Sequence, residues 1–465
     1  MDLSALVKAY DVRGVVPDQL DESIARAIGA AFVDVVFGGQ TGAGTAGGMR
    51  IVIAHDMRET GPGLARAFAE GAMMRGASVV EAGLGSTDLL YFASGHLGLP
   101  GAMFTASHNP AQYNGIKMCR ANAVAIGVDT GLRDIRERAG AYLDTGIPAG
   151  SASGDVEQVD LLTAYAEYLR GLVDLAGIRP LKVVVDAGNG MGGYTVPAVL
   201  GDTVLPALPL DIVPLYFELD GTFPNHEANP LEPANLVDLQ RRVVEVGADL
   251  GLAFDGDADR CFVVDADGAP VSPSAITALV AVRELAKAPG SVIIHNLITS
   301  HAVPEIVAEH GGRPVRTRVG HSFIKAQMAE VDAVFGGEHS AHYYFRDFWF
   351  ADTGMLAAMH VLAALGEQPR TLTEITAEFA RYAASGEINS TVRDQPGRID
   401  AVRSAFAPRT SSLDELDGLT VELSDGSWLN VRASNTEPLL RLNVEGPTDE
   451  VMAATRDEAL AVIRG

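Results

Sequence analysis

The sequence predicts an α/β protein: three similar α/β domains followed by a smaller C-terminal α+β domain. Two observations carry the prediction. Short apolar runs of the buried-strand type recur at residues 50–54 (RIVIA), 181–185 (LKVVV) and 291–294 (SVII). Each enters a turn and then a helical stretch, the alternation of a parallel-type layer. Residues 419–423, 428–432 and 439–444 read instead as antiparallel strands, the first two joined by the turn Ser424-Asp425-Gly426-Ser427.

Taken in order, the chain opens with Tyr10-Asp11-Val12-Arg13-Gly14, and a helix follows from Asp21 with Ile24, Ile28, Ala31 and Val35 at helical spacing. A small-residue loop at 38–48 precedes the 50–54 strand. After it come His55-Asp56-Met57-Arg58 and a helix around Leu64, Phe68 and Ala72. A strand at 78–80, another helix and the apolar run Ala102-Met103-Phe104 complete the first unit. At the far end Thr448, followed by Asp449 and Glu450, caps a closing helix through Ile463. Joints are expected at 146–154, just before Asp255 and at 365–372. They give domains at 1–150, 151–254, 255–368 and 369–465.

With 465 residues the chain is too long for one core. A 47% hydrophobic, 20% charged composition is that of a globular protein. No apolar run reaches the ~18 residues of a membrane span, and no signal segment opens the chain. Cys119 and Cys261 are too few for a disulfide framework, so a cytoplasmic location is expected, with both thiols buried in apolar packing. A formal charge of −25 repels nucleic acid and anionic membranes, so neither is expected as a partner. Any phosphate site must be locally basic against that background.

Four segments carry chemistry. Thr105-Ala106-Ser107-His108-Asn109-Pro110 stops a strand at a proline that stiffens the turn and pushes Asn109 out of the helical region. Ser107 is expected exposed there, beside an imidazole and with Lys117 ten residues on, the parts of a phosphoryl-accepting nucleophile. An ordinary Ser/Asn/Pro turn has the same composition. Asp255-Gly256-Asp257-Ala258-Asp259-Arg260 places three carboxylates at every second position, able to converge on a hard cation, Mg²⁺ or Ca²⁺. An EF-hand is excluded, because its sixth-position glycine would be Arg260 and its twelfth-position glutamate Ala266. Arg260 adds a fixed positive charge suited to a phosphate oxygen.

The loop 336–342 presents Glu338, Ser340, His339 and His342, groups that suit a grip on neighbouring sugar hydroxyls or make a polar surface loop. The turn 432–438 carries Arg432, Ser434, Asn435 and Thr436, with Arg441 close behind, a phosphate cradle in composition or a capped β-turn. Residues 316–325 form a basic strip in an acidic protein. Gly188, Gly190 and Gly193 fit G-x-G-x-x-G after a strand, with Asp211 beyond. The expected helix is broken by Pro197 and Gly201, and a tight strand-to-helix turn is the better account.

Taken together, TASHNP, DGDADR, GEHSAH and RASNTEP, in that order, make the chain resemble the α-D-phosphohexomutase superfamily over essentially its full length, especially bacterial phosphomannomutase/phosphoglucomutase. The resemblance implies three α/β domains with mixed sheets, a smaller fourth domain and one active-site cleft between the four. It implies that Ser107 carries the phosphoryl group and, with Asp255, Asp257 and Asp259, holds Mg²⁺. Lys117, with His108 and Arg13, would move the proton of the sugar oxygen. Tyr10, Asn109, Arg260, Gly320, His321, Glu338, Ser340 and His342 would contact substrate; Arg432, Ser434, Asn435, Thr436 and Arg441 would anchor the non-reacting phosphate.

The implied reaction interconverts hexose 6-phosphate and hexose 1-phosphate through a hexose 1,6-bisphosphate, with mannose first and glucose second. The alternatives are a phosphoglucosamine mutase, a phosphoglucomutase or a metal-dependent sugar phosphatase. A phosphorylated hexose is the expected partner, and a monomer or weak homodimer the expected assembly. Two places depart from the family pattern: residues 293–300 (IIHNLITS) lack a sugar-contacting lysine, and His339 stands where methionine is expected.

Overall fold

The computed structural model describes residues 1–7, 10–38, 48–150, 154–434 and 439–465. In the first domain the alternation of apolar side chains decides the layers. Ile51 and Ile53 of the strand Arg50–His55 pack with Ile28, Phe32, Leu64 and Phe68, from the helices Glu22–Val36 and Gly61–Met74. Val52 and Ala54, on the other face, join Leu89 to Ala93 of the helix Thr87–Leu97. Opposite faces of one strand thus bury against opposite helix layers, as a period of two requires.

The sheet is seven-stranded and mixed. Arg50–His55 pairs in parallel with Ser78–Leu84 and Gly101–Phe104, while Tyr113–Arg120 returns antiparallel beside Gly101–Phe104. The strand Val12–Val15 closes that edge. At the other edge Val156–Gln158 pairs with Ser78–Leu84, so the first sheet continues past the joint expected at residue 150.

The second sheet runs in the order Pro270–Val271, Cys261–Asp265, Leu250–Phe254, Leu181–Asp186, Leu210–Leu215. Phe254 pairs with Cys261 across an antiparallel hairpin, so the boundary expected before Asp255 falls inside one continuous sheet. The cause is local: residues 255–260 are the hairpin's own loop. Pro197 does not break the helix after the glycine-rich turn, which runs Gly192–Val199 with the proline inside.

The third sheet is built from Arg313–Thr317, Val292–Asn296, Phe335–Gly337, Tyr343–Phe345 and Ala351–Asp352. Leu372 and Ile375 of the short helix Leu372–Thr376 bury in the core shared by the second and third domains, and Thr373 donates to Asp265 (2.8 Å). The fourth domain therefore begins later than residue 369. Its sheet opens with Ala383–Thr391.

All five strands of the fourth sheet pair antiparallel. Leu429, Val431, Leu440, Leu442 and Val444 face a separate core with Val402, Phe406, Ala459 and Ile463 of the two covering helices. Trp428, Asn430 and Arg432 alternate with them and pair across the strands with Glu445, Asn443 and Arg441. One face of this sheet is thus apolar and covered; the other is a polar ladder. The Thr448 side chain caps the last helix, Asp449–Arg464.

Asp88 ties three domains together. Its carboxylate accepts from Ser86 of its own domain, from Tyr165 of the second (2.7 Å) and from Thr353 of the third (2.7 Å). Both cysteines are free and buried. Among the described residues no helix is long and apolar enough to cross a membrane.

Candidate active site

The serine turn leaves the strand Gly101–Phe104 and is closed by its own polar groups: the Ser107 N–H donates to Thr105 Oγ1 (2.9 Å) and the Asn109 N–H to the Ala106 carbonyl (3.0 Å). Ser107 takes φ +50°, a left-handed conformation that costs a non-glycine residue ~1–2 kcal/mol. Arg58 holds the turn in that shape. Its guanidinium donates to the carbonyls of Ser107 (2.9 Å), Asn109 (2.6 Å), Pro110 (2.9 Å) and Tyr113 (2.9 Å), with Asp56 beside it at 3.3 Å. Charge-assisted bonds are the strong ones, and four of them offset the strain.

Ser107 is 5% exposed, not open to solvent as its place in a turn suggests. The hairpin loop of the second domain covers it. Gly256 lies so close that an added Cβ would stand 2.4 Å from the Ser107 carbonyl oxygen. Ser107 Oγ donates to Asp255 Oδ2 at 2.8 Å and lies 3.2 Å from His108 Nδ1. Two domains therefore meet at one hydroxyl.

Asp255, Asp257 and Asp259 are all buried and offer carboxylate oxygens within 4.8 Å of one another. Asp257 Oδ1 and Asp259 Oδ1 have no hydrogen-bond partner, while Asp257 Oδ2 accepts from Thr87 (2.6 Å) and Lys117 (2.7 Å) and Asp259 Oδ2 from Lys117 (2.6 Å). Burial pushes the Asp255 carboxyl up to about 7 against the pull of Arg260. Buried unpaired carboxylate oxygens are costly, and a divalent cation held with Asp255 is the group that satisfies these two at once. The residues present fit such an ion.

Arg260 donates to Asp255 (2.8 Å) and to His108 Nδ1 (2.6 Å). Burial, then the charges of Arg260 and Arg13, hold His108 well below the ordinary imidazole range, so the ring is neutral and Nδ1 accepts. Arg13 spans Asn109 Oδ1 (2.5 Å) and Asp11 (2.5 Å). Burial opposes the charge of Lys117, but Asp257 and Asp259 hold its pKa well above the usual value, so it sits between them as an ammonium.

The third domain adds the groups of the loop 336–342. Glu338 is 3% exposed and accepts from Tyr344 (2.7 Å), Ser340 (3.0 Å) and Asn296 (3.4 Å). Ser340 Oγ also lies 3.0 Å from His342 Nδ1, and His342 Nε2 is 3.7 Å from Asp259, which links this loop to the aspartate loop. Gly320, at φ +129°, leaves room for the Tyr10 hydroxyl, 2.4 Å from where a Cβ would be; Tyr10 packs edge-on against His321 at 5.1 Å. Tyr10 lies in the field of both Glu338 and Arg432. In the fourth domain Arg432 (2.7 Å) and Arg441 (2.8 Å) grip the two oxygens of Glu387, leaving each Nε without a partner. The Ser434 N–H donates to the Leu439 carbonyl (2.9 Å); Asn435 and Thr436 lie outside the described residues.

The sequence reading missed several members of this constellation. Arg58 stands in the run 55–58 directly after a buried strand, a position that signals a site loop. Thr87, Asp352 and Glu387 carry no local signal. Asp352 lies within ligand distance of Asp259 and His342 and pairs with the buried Lys325 at 2.5 Å.

Four family models match the chain in order. They are the phosphoglucomutase/phosphomannomutase alpha/beta/alpha domain I over residues 4–142, domain II over 163–268, domain III over 272–382 and the C-terminal domain over 387–462. The chain belongs to the phosphoglucomutase/phosphomannomutase family. A phosphomannomutase of Escherichia coli is 39% identical over 461 residues, 98% of each chain. Phosphohexose mutases of Xanthomonas campestris pv. campestris are 39% identical over 462 residues, 98% of this chain and 99% of theirs. The crystal structure of a phosphoglucomutase/phosphomannomutase family protein from Burkholderia thailandensis superposes with a TM-score of 0.86 at 32% identity, covering 100% of this chain and 98% of that one. The protein is a phosphohexomutase, an isomerase of carbohydrate metabolism.

Proposed function

We propose that this phosphohexomutase interconverts hexose 6-phosphate and hexose 1-phosphate, with mannose preferred and glucose also accepted, through a phosphoserine at Ser107 and a hexose 1,6-bisphosphate. The observation that carries it is the Ser107 hydroxyl, fixed 2.8 Å from Asp255 by a turn that Arg58 holds from behind. The 39% identity to a phosphomannomutase supports mannose as the first substrate.

Phosphoryl transfer is mostly positioning and charge neutralisation. Asp255, Asp257, Asp259 and Ser107 would hold Mg²⁺, which when bound supplies positive charge beside the transferring group. Arg260 presents a second, permanent positive charge next to the serine, with His108 as its neutral partner. Lys117 is the group that holds or moves the proton at the reacting sugar oxygen, assisted by Arg13. Glu338 and Ser340 grip ring hydroxyls, with Tyr10, Asn109, Gly320, His321 and His342 shaping the cleft. Arg432 and Arg441, with Ser434, Asn435 and Thr436, take the phosphate that is not reacting, in exchange for Glu387. The two buried, unpaired cysteines suit a reducing cytoplasm.

The test is intact-mass analysis beside turnover on mannose, glucose and glucosamine 1-phosphates. A phosphate adduct that disappears in Ser107→Ala, together with most of the turnover, is expected. Near-normal turnover in Ser107→Ala refutes the phosphoserine, and release of inorganic phosphate instead of isomer identifies a phosphatase.

A further inference from the structure

A cavity of about 260 Å³ lies between the third and fourth domains. Ser274, Ile298 and His339 line it from one side, Asn443 and Glu445 from the other, and Tyr382 of the connecting segment lines it as well. The two departures from the family pattern, at residues 293–300 and at His339, thus face one space. Asn443 is 4% exposed and its Nδ2 has no hydrogen-bond partner; neither has His339 Nδ1. Glu445 accepts from the Trp428 indole (2.9 Å) and the His301 N–H (3.0 Å).

Three residues lining the cavity neighbour, in the chain, the groups proposed to bind substrate. His339 stands between Glu338 and Ser340, Gly386 precedes Glu387, and Asn443 is two residues from Arg441 on the same face of the sheet, a step of ~7 Å. Its chemistry nevertheless differs from theirs. No lysine or arginine lines it, and Glu445 does, so a phosphate is disfavoured. Serine hydroxyls, an amide donor, an imidazole and the rings of Tyr382 and Trp428 suit neutral hydroxyls and the apolar face of a sugar. The volume is that of about eight or nine waters at ~30 Å³ each, room for a hexose ring without its phosphates.

We propose that this cavity is a second seat for the hexose ring, occupied while the bisphosphate turns end for end. The proposal rests on the mutase reading above. The intermediate must reverse without leaving. A compartment that accepts the ring and refuses both phosphates keeps the ring bound while the phosphate on Arg432 and Arg441 and the one beside Ser107 let go and exchange places.

The test uses the full-length chain phosphorylated on Ser107, with mannose 1-phosphate as probe. Three quantities are measured: single-turnover formation of the 1,6-bisphosphate, steady-state turnover to mannose 6-phosphate, and bisphosphate released into solution. Ala380→Trp fills the cavity from an exposed position in its lining, and Asn443→Leu removes the amide at similar volume. The expected result is a first transfer within about twofold of the parent, turnover down about tenfold or more, and release per turnover up about fivefold or more. Folded variants that leave turnover and release within about twofold overturn the proposal, as does a first transfer slowed as much as turnover. If Asn443→Leu does not fold, Ala380→Trp decides, since residue 380 is exposed. A parent that makes no bisphosphate refutes the mutase reading, and the seat with it.

Discussion

Gly256→Ala separates the two loops that the proposed mechanism needs together. The added Cβ would stand 2.4 Å from the Ser107 carbonyl oxygen, where ordinary contact begins at 3.4 Å, so the aspartate loop must retreat by 3.4 − 2.4 = 1.0 Å. The carbonyl cannot yield instead, because Arg58 holds it at 2.9 Å. Overpacking of this size costs ~1–3 kcal/mol of stability, which lowers Tm without unfolding a chain of three interlocked domains. The catalytic loss is larger in effect: a displacement of ~1 Å between reacting groups costs about 10²-fold in rate. Stopped-flow turnover and a melting curve measure the two effects on one preparation. Gly171→Ala is the control. Nothing lies within 4 Å of its Cβ, and an alanine in the helix Leu162–Leu172 gains up to ~1 kcal/mol with unchanged turnover. Turnover of Gly256→Ala within about twofold of the parent refutes the claim that this contact sets the geometry.

Excess chelator abolishes turnover, and Asp257→Asn weakens Mg²⁺ binding measured by titration calorimetry; full activity in chelator contradicts the aspartate cluster as a metal site. Arg432→Ala slows the forward and reverse reactions alike while the melting curve is little changed, because Arg441 still pairs with Glu387; rates within about twofold in both directions would make this arginine structural. His301 stacks on Trp428, lies 3.3 Å from Glu422 and sits in the opposing fields of Glu445 and Arg316. Burial works against its charge, but Glu422 raises its folded pKa above the unfolded ~6.5, so its stabilisation is full below that pH and fades as pH rises through the folded value. The Tm difference between the parent and His301→Gln is therefore larger at pH 6 than at pH 8, and an equal difference rules the pairing out.

The strands and helices were legible because burial imposes period two and period 3.6 on side chains, as Ile51 to Ala54 and Ile24 to Val35 show. The four motifs were legible because each is a local run of chemistry. The domain joints were not: they are expected from composition at 146–154, just before Asp255 and at 365–372, whereas only partners more than seventy residues away reveal that 156–158 and 372–376 belong to the preceding domains. The burial of Ser107 was hidden for the same reason, since its cover comes from Gly256 on another domain. Glu387 could not be found beside Arg432, because the two are 45 residues apart and meet only through strand register.

The fourth domain keeps its own apolar core, sharing none of those side chains with the other three. Its ties to the third include ion pairs: Arg316 with Asp414, His301 with Glu422, and Arg381, just before its first strand, with Glu305 and Glu309. Exposed pairs of this kind are worth ~0–1 kcal/mol each and are screened over ~8 Å at physiological salt. Separating the two domains would therefore leave this core covered and uncover Trp428, which stacks on His301, so added electrolyte weakens the ionic part of the contact and leaves the aromatic part in place.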